Sequence, residues 1–477
     1  MSEQKQDPLS EAGGGLPVAA NEAQRPIATA LEGLLEGLRT IRVAYFQVVP
    51  KTLEWLNEEA TRVYGRIDKF RDKRVADGYD VSTAHEVVEL SDAIVELKSF
   101  RPTQTIAILE RSLFTQIFSQ YDSFIGALLK AIYSEKHDLL KGISREITLS
   151  DLLEFESLDA VKLTMLEKEI ETFRRDSYVE QFAALEKKFG FKTLRDFAEW
   201  GEFVELAQRR NVITHNDAKV SEQYLAVCDR ESHRFGARPA LGETLDIKVA
   251  YFSRAILLVS KVAFMLTHTL WRKLFPGEHE QQYMQMNATI YEGLQGKRWR
   301  TTAEMATFSM SEQMCKGVPE LQLRMRLVNC VIAFKFSDRE GEGKKLLASI
   351  DWTASYRDFK LALAVLNDDF EAAGKIMREI GKSGELVNQI AYHRWPLFHK
   401  FQESDIFQTA YEEVYGESFA KKVVEDASNA SVDVSVSSAG GDCLRASESI
   451  DIVDVTVKKK PPRKTTRRKP AGEESVL

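Results

Sequence analysis

The segment 209–216 reads Arg-Arg-Asn-Val-Ile-Thr-His-Asn and holds the side chains best suited to chemistry in this chain. His215, one of only eight histidines, can move a proton near neutral pH. Arg210 can hold the negative charge of a phosphate, and Asn211 adds an amide beside it. Cleavage of an RNA backbone without a metal ion needs these two groups, a side chain that transfers a proton and a guanidinium.

A helix predicted over 194–215 must position these groups. Its apolar stripe follows the three-four rule and comprises Phe203, Leu206, Arg210 and Ile213. A bare charge on such a stripe must be paired, or must face a cleft shared with another surface. Arg210 and His215 are separated by about 140° around a straight helix. A site that uses both is most easily built where two copies of the helix meet, or where the helix ends near His215.

Three further side chains are candidates for binding RNA or phosphate, namely Arg209, Asn216 and Asp122. Arg209 is expected to be solvated or to contact phosphate rather than to be catalytic. Asn216 fits a helix C-cap and Asp217 a turn. Asp122 has two alternatives, since it could pair with Arg210 and position it, or be a solvated residue of its helix.

Helical periodicity dominates the chain outside its ends. An apolar three-four repeat predicts a long helix over 102–141. The most apolar helix, 245–275, is interrupted by charged residues, so it is interpreted as a buried core helix rather than a membrane span. His268 lies among its apolar residues and is expected to be a core histidine with satisfied hydrogen bonds.

Residues 278–416 align on themselves at an offset of 30. The matched pairs are Phe336 with Leu366, Asp338 with Asp368, Lys345 with Lys375, Leu346 with Ile376 and Ile350 with Ile380. Helix-turn-helix units at roughly this period predict an α-solenoid. Residues 364–373 resemble the turn and second helix of a tetratricopeptide repeat, although only about two units are visible.

Composition and charge limit the class of protein. The net charge of −7 provides no global attraction to nucleic acid, but residues 458–469 hold eight lysines and arginines and no acid. This run could bind a polyanion or be a solvated tail. The four cysteines are scattered, which indicates reduced thiols rather than a zinc ribbon, and no signal peptide or Gly-rich phosphate loop is found. We expect a cytoplasmic protein without a metal or cofactor.

The predicted class is all-α, with a helical bundle followed by a short solenoid-like domain. The predicted segments are a disordered 1–30, an N-terminal helical segment 31–99, a bundle 100–275, a helical-repeat domain 278–416 and a disordered tail 420–477 that contains the basic run 458–469.

The segment Arg210-Asn211-Val212-Ile213-Thr214-His215 resembles the signature of the HEPN superfamily, an arginine, a polar residue, three residues and a histidine. Two flanking segments are similar to those of a largely uncharacterised bacterial branch of this superfamily. They are Leu152-Leu153-Glu154-Phe155-Glu156 and His215-Asn216-Asp217. The resemblance covers about 100–275. It implies a helical bundle that forms a homodimer through its motif helices.

Active members of this superfamily are metal-independent endoribonucleases, so the resemblance implies this activity. The two motifs of a dimer would form one cleft, in which His215 transfers a proton, Arg210 stabilises the phosphate and Asn211 orients His215 or binds phosphate. The expected product is a 2′,3′-cyclic phosphate. It also implies a role in bacterial stress response or in toxin–antitoxin or anti-phage defence. The alternative is an inactive module that binds RNA or protein. In both cases 278–416 is expected to be the surface for an unknown protein partner. No contact with a membrane is expected.

Overall fold

The chain is helical throughout the part that the computed structural model describes, which comprises residues 25–77, 84–142 and 147–423. These ranges contain no β-strand, so the predicted all-α class is confirmed for them. The predicted tails 1–30 and 420–477 lie mostly outside these ranges, and the basic run 458–469 does so entirely.

The first part of the described chain is a bundle around one large apolar core, beside which Val212, Tyr224 and Cys228 belong to a small separate cluster. Its helices are α1 (Pro26–Val43), α2 (Val49–Asp77), α3 (Ala84–Ser99), α4 (Pro102–Glu135), α5 (Leu149–Leu153), α6 (Leu158–Arg175), α7 (Tyr178–Phe189), α8 (Trp200–His215), α9 (Glu222–Arg230) and α10 (Val249–Leu274). A π-helical turn, Ala44–Val48, joins α1 to α2, and a 3-10 helix, His137–Gly142, follows α4.

The helix α4 is central to the bundle, because it packs against α1, α6, α8 and α10. Its apolar side chains recur every three or four residues and are buried, among them Phe114, Phe118, Tyr121, Ile125 and Ile132. Such spacing turns one continuous stripe of a helix toward the core. The helix ends before the predicted residue 141, because Lys136 leaves the helical conformation with φ −109° and ψ 68°.

The N-terminal helix α1 corrects two predicted boundaries. It begins at Pro26, which suits a first helical turn because its missing N–H would have no helical partner there. Residues 26–30 are therefore helical rather than disordered. The buried side chains of α1 lie in the same apolar cluster as those of α4 and α10, so the predicted separation of 31–99 from 100–275 does not hold for this helix.

The helix α10 is the one described helix that is long and apolar enough to cross a membrane. Much of it is buried within the protein, including Phe252, Leu258, Phe264 and Trp271, which confirms the prediction of a core helix. The motif-bearing helix α8 packs against α10 as well as α4. It begins at Trp200 rather than at residue 194.

His268 on α10 is fully buried, as predicted. Neither ring nitrogen has a hydrogen-bond partner within the described ranges, which corrects the expectation of a satisfied histidine. The ring lies between Phe264, at 4.5 Å, and Trp271, at 6.2 Å between ring centroids. Burial lowers the pKa of His268 to about 3, and the positive charge of Arg326 adds to this effect.

The second part of the described chain is built from helical hairpins, each made of two consecutive helices in contact. Its helices are α11 (His279–Gln295), α12 (Trp299–Ser309), α13 (Glu312–Cys315), α14 (Glu320–Phe336), α15 (Glu340–Ala348), α16 (Arg357–Leu366), α17 (Phe370–Ile380), α18 (Gln389–Arg394), α19 (His399–Gln402) and α20 (Asp405–Tyr415). The hairpins are α11 with α12, α14 with α15, and α16 with α17.

All three hairpins turn in the same way. In each, the second residue after the end of the first helix has a positive φ. These residues are Lys297 at 51°, Asp338 at 63° and Asp368 at 58°. The following N–H bonds a carbonyl five residues earlier, in the pairs Arg298 with Gly293, Arg339 with Phe334 and Asp369 with Ala364. This bond closes a helix end. The match of Asp338 with Asp368 in the sequence therefore corresponds to equivalent turns in the structure.

The boundary predicted between 275 and 278 does not separate the apolar cores. Met286 and Ile290 on α11 and Met305 on α12 belong to the core of the bundle. Leu294 on α11 and Ala306 on α12 belong to the second core, which continues through the hairpins to α20. The first hairpin therefore contributes to both cores.

Candidate functional site

The motif segment lies on α8 with its apolar stripe turned inward, as predicted. Phe203 and Leu206 are fully buried, and Ile213 is partly buried against the same core. Arg210 continues this stripe and keeps 26% of its side chain exposed. A half-buried guanidinium in this place needs a partner, because burial strips the charge of much of its water.

Asp122 on α4 is that partner. Its Oδ2 lies 3.7 Å from Nη2 of Arg210, and its Oδ1 accepts a 2.7 Å hydrogen bond from the hydroxyl of Tyr178. Of the two alternatives for Asp122, pairing with Arg210 is the one found. An anionic carboxylate in this position supports the guanidinium and repels phosphate, which corrects the prediction of Asp122 as a phosphate-binding residue.

Burial raises the pKa of Asp122 above its ordinary value, despite three opposing effects. The hydrogen bond from Tyr178 and the positive charges of Arg210 and Arg174 each lower it. The pKa of Tyr178 is raised as well, first by burial and then by the negative charge of Asp122. Ionised Asp122 is therefore held in the fold at a net electrostatic cost.

Tyr178 was missed from the sequence, although its position follows from a local signal. Ser177 caps α7 by accepting from the N–H of Glu180, and the carboxylate of Glu180 accepts from the N–H of Ser177 at 2.9 Å. This capping box begins α7 at Tyr178. The Ser-x-x-Glu spacing indicates the start of the helix, but not that the tyrosine meets Asp122.

Asn211 and His215 occupy the outer end of α8. The Asn211 Oδ1 accepts a 3.1 Å hydrogen bond from Nη1 of Arg210, so the described contacts join Asn211 to Arg210. Its role in orienting His215 stays a prediction. His215 is the last residue of the helix and is exposed. The structure thus brings Arg210, Asn211 and Asp122 together and leaves the imidazole open to solvent.

The chain reverses immediately after His215. Asn216 is the C-cap of α8, as predicted, and its Nδ2 donates to the carbonyl of Lys219 at 2.6 Å. Asp217 and Ala218 both have positive φ, 50° and 59°, so the predicted turn at Asp217 is confirmed. A contact between Asn216 and phosphate stays a prediction.

Arg209 is neither solvated nor placed to contact phosphate, which corrects its prediction. Its Nε donates to Glu205 at 2.8 Å, and its guanidinium lies 4.0 Å from the ring centroid of Tyr251. Glu205 is 2% exposed and also accepts 2.6 Å hydrogen bonds from Tyr224 and Tyr251. This buried network joins α8 to α9 and α10, so Arg209 has a structural role.

Comparison of the chain with protein-family models, curated proteins and solved structures gave no match. The resemblance to the HEPN superfamily therefore rests on the motif and its flanking residues. In the described ranges, no three or more His, Cys, Asp or Glu side chains are grouped as metal ligands would be. The geometry assembles a half-buried guanidinium, its supporting carboxylate and an exposed imidazole at the end of one helix.

Proposed function

We propose that this protein is a metal-independent endoribonuclease of the HEPN type that acts as a dimer. The observation that carries the proposal is the difference in environment between Arg210 and His215. Arg210 is held from the protein side by Asp122, while His215 stands exposed at the end of the same helix. A phosphate-binding group benefits from preorganisation, and a proton-transfer group must reach the substrate.

The proposed reaction needs no group beyond these side chains and the RNA. The ribose 2′-hydroxyl loses its proton to an imidazole and attacks the adjacent phosphorus, and the bond from phosphorus to the 5′-oxygen breaks. The leaving 5′-oxygen takes a proton, and a 2′,3′-cyclic phosphate remains. His215 transfers these protons, which contributes roughly 10²- to 10⁴-fold. Arg210 stabilises the charge that develops on the phosphate.

Asp122 and Asn211 prepare Arg210 for this task. Together they engage both terminal nitrogens of the guanidinium, at 3.7 Å to Nη2 and 3.1 Å to Nη1. Such contacts restrict the side chain before substrate arrives, and preorganised charge is more effective than charge that must be reoriented. Asn211 lies beside Arg210, so its amide N–H groups would be a second source of hydrogen bonds to a phosphate bound there.

A second copy of the chain would complete the site. Arg210 and His215 diverge by about 140° around a straight helix, so the pair is poorly arranged to reach a single phosphate from one helix. Two motif helices packed across a two-fold axis would place Arg210 of one chain near His215 of the other. The exposure of His215 leaves this end of α8 accessible to such a partner.

The helical hairpins would serve as the binding surface for a protein partner. Their shared turn and their continuous core are the features of an α-solenoid, whose stacked helix pairs present extended surfaces. With a cytoplasmic location and a role in stress response or defence, this surface would bring the nuclease under the control of a regulator.

The decisive experiment is cleavage of single-stranded RNA by the purified protein in EDTA. We expect cyclic-phosphate products from the unchanged protein and loss of cleavage in Arg210→Ala and His215→Ala. Arg175→Ala and His85→Ala are matched controls, because both side chains are exposed, at 75% and 81%, and pair within their own helices. Cleavage that survives both motif substitutions contradicts the site, and cleavage abolished by EDTA contradicts the mechanism.

Mixing the two inactive variants tests the two-chain site. A heterodimer of Arg210→Ala and His215→Ala still has one intact arginine and one intact histidine on opposite chains. We expect mixing to restore part of the activity, with a dimer visible by sedimentation. A mixture as inactive as its components would show that each chain carries its own site, and binding of RNA without cleavage would favour the inactive module.

A further inference from the structure

Arg174, at the C-terminal end of α6, lies beside the site and was not predicted from the sequence. Its side chain crosses α4 at Gly126, where a Cβ would lie 3.5 Å from Cδ and 3.8 Å from Nη1 of Arg174. Gly126 follows Asp122 by one helical turn, so the two residues share a face of α4. Two guanidiniums therefore act on Asp122, that of Arg210 from α8 and that of Arg174 from α6.

The two arginines differ in burial and in their contacts. Arg210 is half-buried and contacts Asp122, whereas Arg174 is exposed. Within the described ranges the guanidinium of Arg174 makes no hydrogen bond or ion pair, although its charge is close enough to act on Asp122. Its stem lies against α4 and its charged head remains in water, so the guanidinium is free to bind an anion.

We infer that Arg174 is a second phosphate-binding residue, which contacts the phosphate next to the one held by Arg210 on a bound RNA strand. The inference rests on the proposed function for its ligand. Phosphates repeat along a strand, so a groove that follows it needs cations at intervals. The negative charge of Asp122 disfavours a phosphate directly over it, so the two phosphates would be held apart.

The neighbouring Arg175 shows why Arg174 is singled out. Arg175 ends the same helix but pairs with Glu171 one turn earlier on its own helix, and 75% of its side chain is exposed. Its charge is therefore already balanced on a surface that belongs to α6 alone. Arg174 instead points across α4 toward the face that carries Asp122.

The test is the salt dependence of RNA binding by the full chain. Binding is measured with the His215→Ala variant, so that the RNA is not cleaved during the experiment. The anisotropy of a fluorescent single-stranded RNA gives the affinity over a series of salt concentrations. Arg174→Ala in this background should raise Kd by about two- to fivefold, and lower the slope of log Kd against log salt by about 0.7, the value for one lost phosphate contact on a single strand. Arg174→Lys should restore the slope, because it keeps the charge.

Arg175→Ala is the matched control, since it removes the same charge from the adjacent position. The inference is overturned if Arg174→Ala binds RNA with the same Kd and slope as Arg175→Ala. Cleavage by the unchanged protein tests the proposed reaction separately. If the protein binds RNA without cutting it and Arg174→Ala still weakens binding, the reaction fails and the phosphate site stands. If His215 is needed for cleavage but Arg174→Ala binds normally, the phosphate site alone fails.

Discussion

Replacing His268 by phenylalanine should reduce the sensitivity of the fold to acid. In the folded protein the pKa of His268 lies at about 3, because the ring is buried and Arg326 is nearby. An unfolded histidine titrates at about 6.5. Between these values the unfolded chain binds one proton more than the folded chain, so this residue makes the free energy of unfolding fall as the pH falls.

The magnitude follows from the two pKa values. Between pH 6 and pH 5 the histidine alone should remove about 1.2 kcal/mol from the free energy of unfolding, and a further unit of pH about 1.3 kcal/mol. A phenylalanine can keep the ring contacts with Phe264 and Trp271 and binds no proton. No hydrogen bond to the ring nitrogens is lost, since none is recorded in the described ranges.

Urea unfolding followed by far-ultraviolet circular dichroism at pH 7, 6 and 5 measures this effect. The comparison uses the change between pH values, so packing differences that act equally at every pH cancel. His85→Gln is the control, because His85 is exposed on α3. If His268→Phe and the unchanged protein lose the same stability between pH 6 and pH 5, the ring is not held neutral by burial.

Three other substitutions test the bundle. Glu205→Ala should destabilise the fold by about 3–5 kcal/mol in urea unfolding, because it leaves the charge of Arg209 and two tyrosine hydroxyls without their acceptor. Gly201→Ala should lower thermal stability, since a Cβ there would lie 2.8 Å from the backbone N of His233, whereas Gly65→Ala, with nothing within 4 Å, should not. Asp122→Asn should slow RNA cleavage without lowering stability at neutral pH. The raised pKa of Asp122 means that its ionisation opposes folding above that pKa. A loss of stability in Asp122→Asn at neutral pH would therefore contradict the direction of this pKa shift.

Periodicity predicted the fold where packing is amphipathic and local. The positions of α4 and α10 follow from apolar residues at helical spacing, and the offset of 30 identified two equivalent hairpins. The sequence match did not include the hairpin of α11 and α12, because its turn has Lys297 where the other two turns have aspartate. The division into separate segments was wrong for α1, since a shared core depends on contacts between residues that are distant in sequence.

The candidate site shows the same limit. The stripe on α8 predicted that Arg210 must be paired or must face a shared cleft, and the structure shows the pairing. The six-residue motif ends at His215, which is exposed. The carboxylate that pairs with Arg210 could only be offered as an alternative, because α4 and α8 meet through tertiary packing. Arg209 was misassigned for the same reason, since its tyrosine neighbours come from α9 and α10.

The first hairpin decides how this protein can be divided. A fragment that ends at Phe275 would lose Met286, Ile290, Met305 and Met314, four side chains of the bundle core. A fragment that begins at Glu278 would carry the same four side chains without the surface that covers them. The smallest piece with an intact bundle core must therefore extend through α13, and the motif helix α8 rests on α10, which itself packs against α11 and α12.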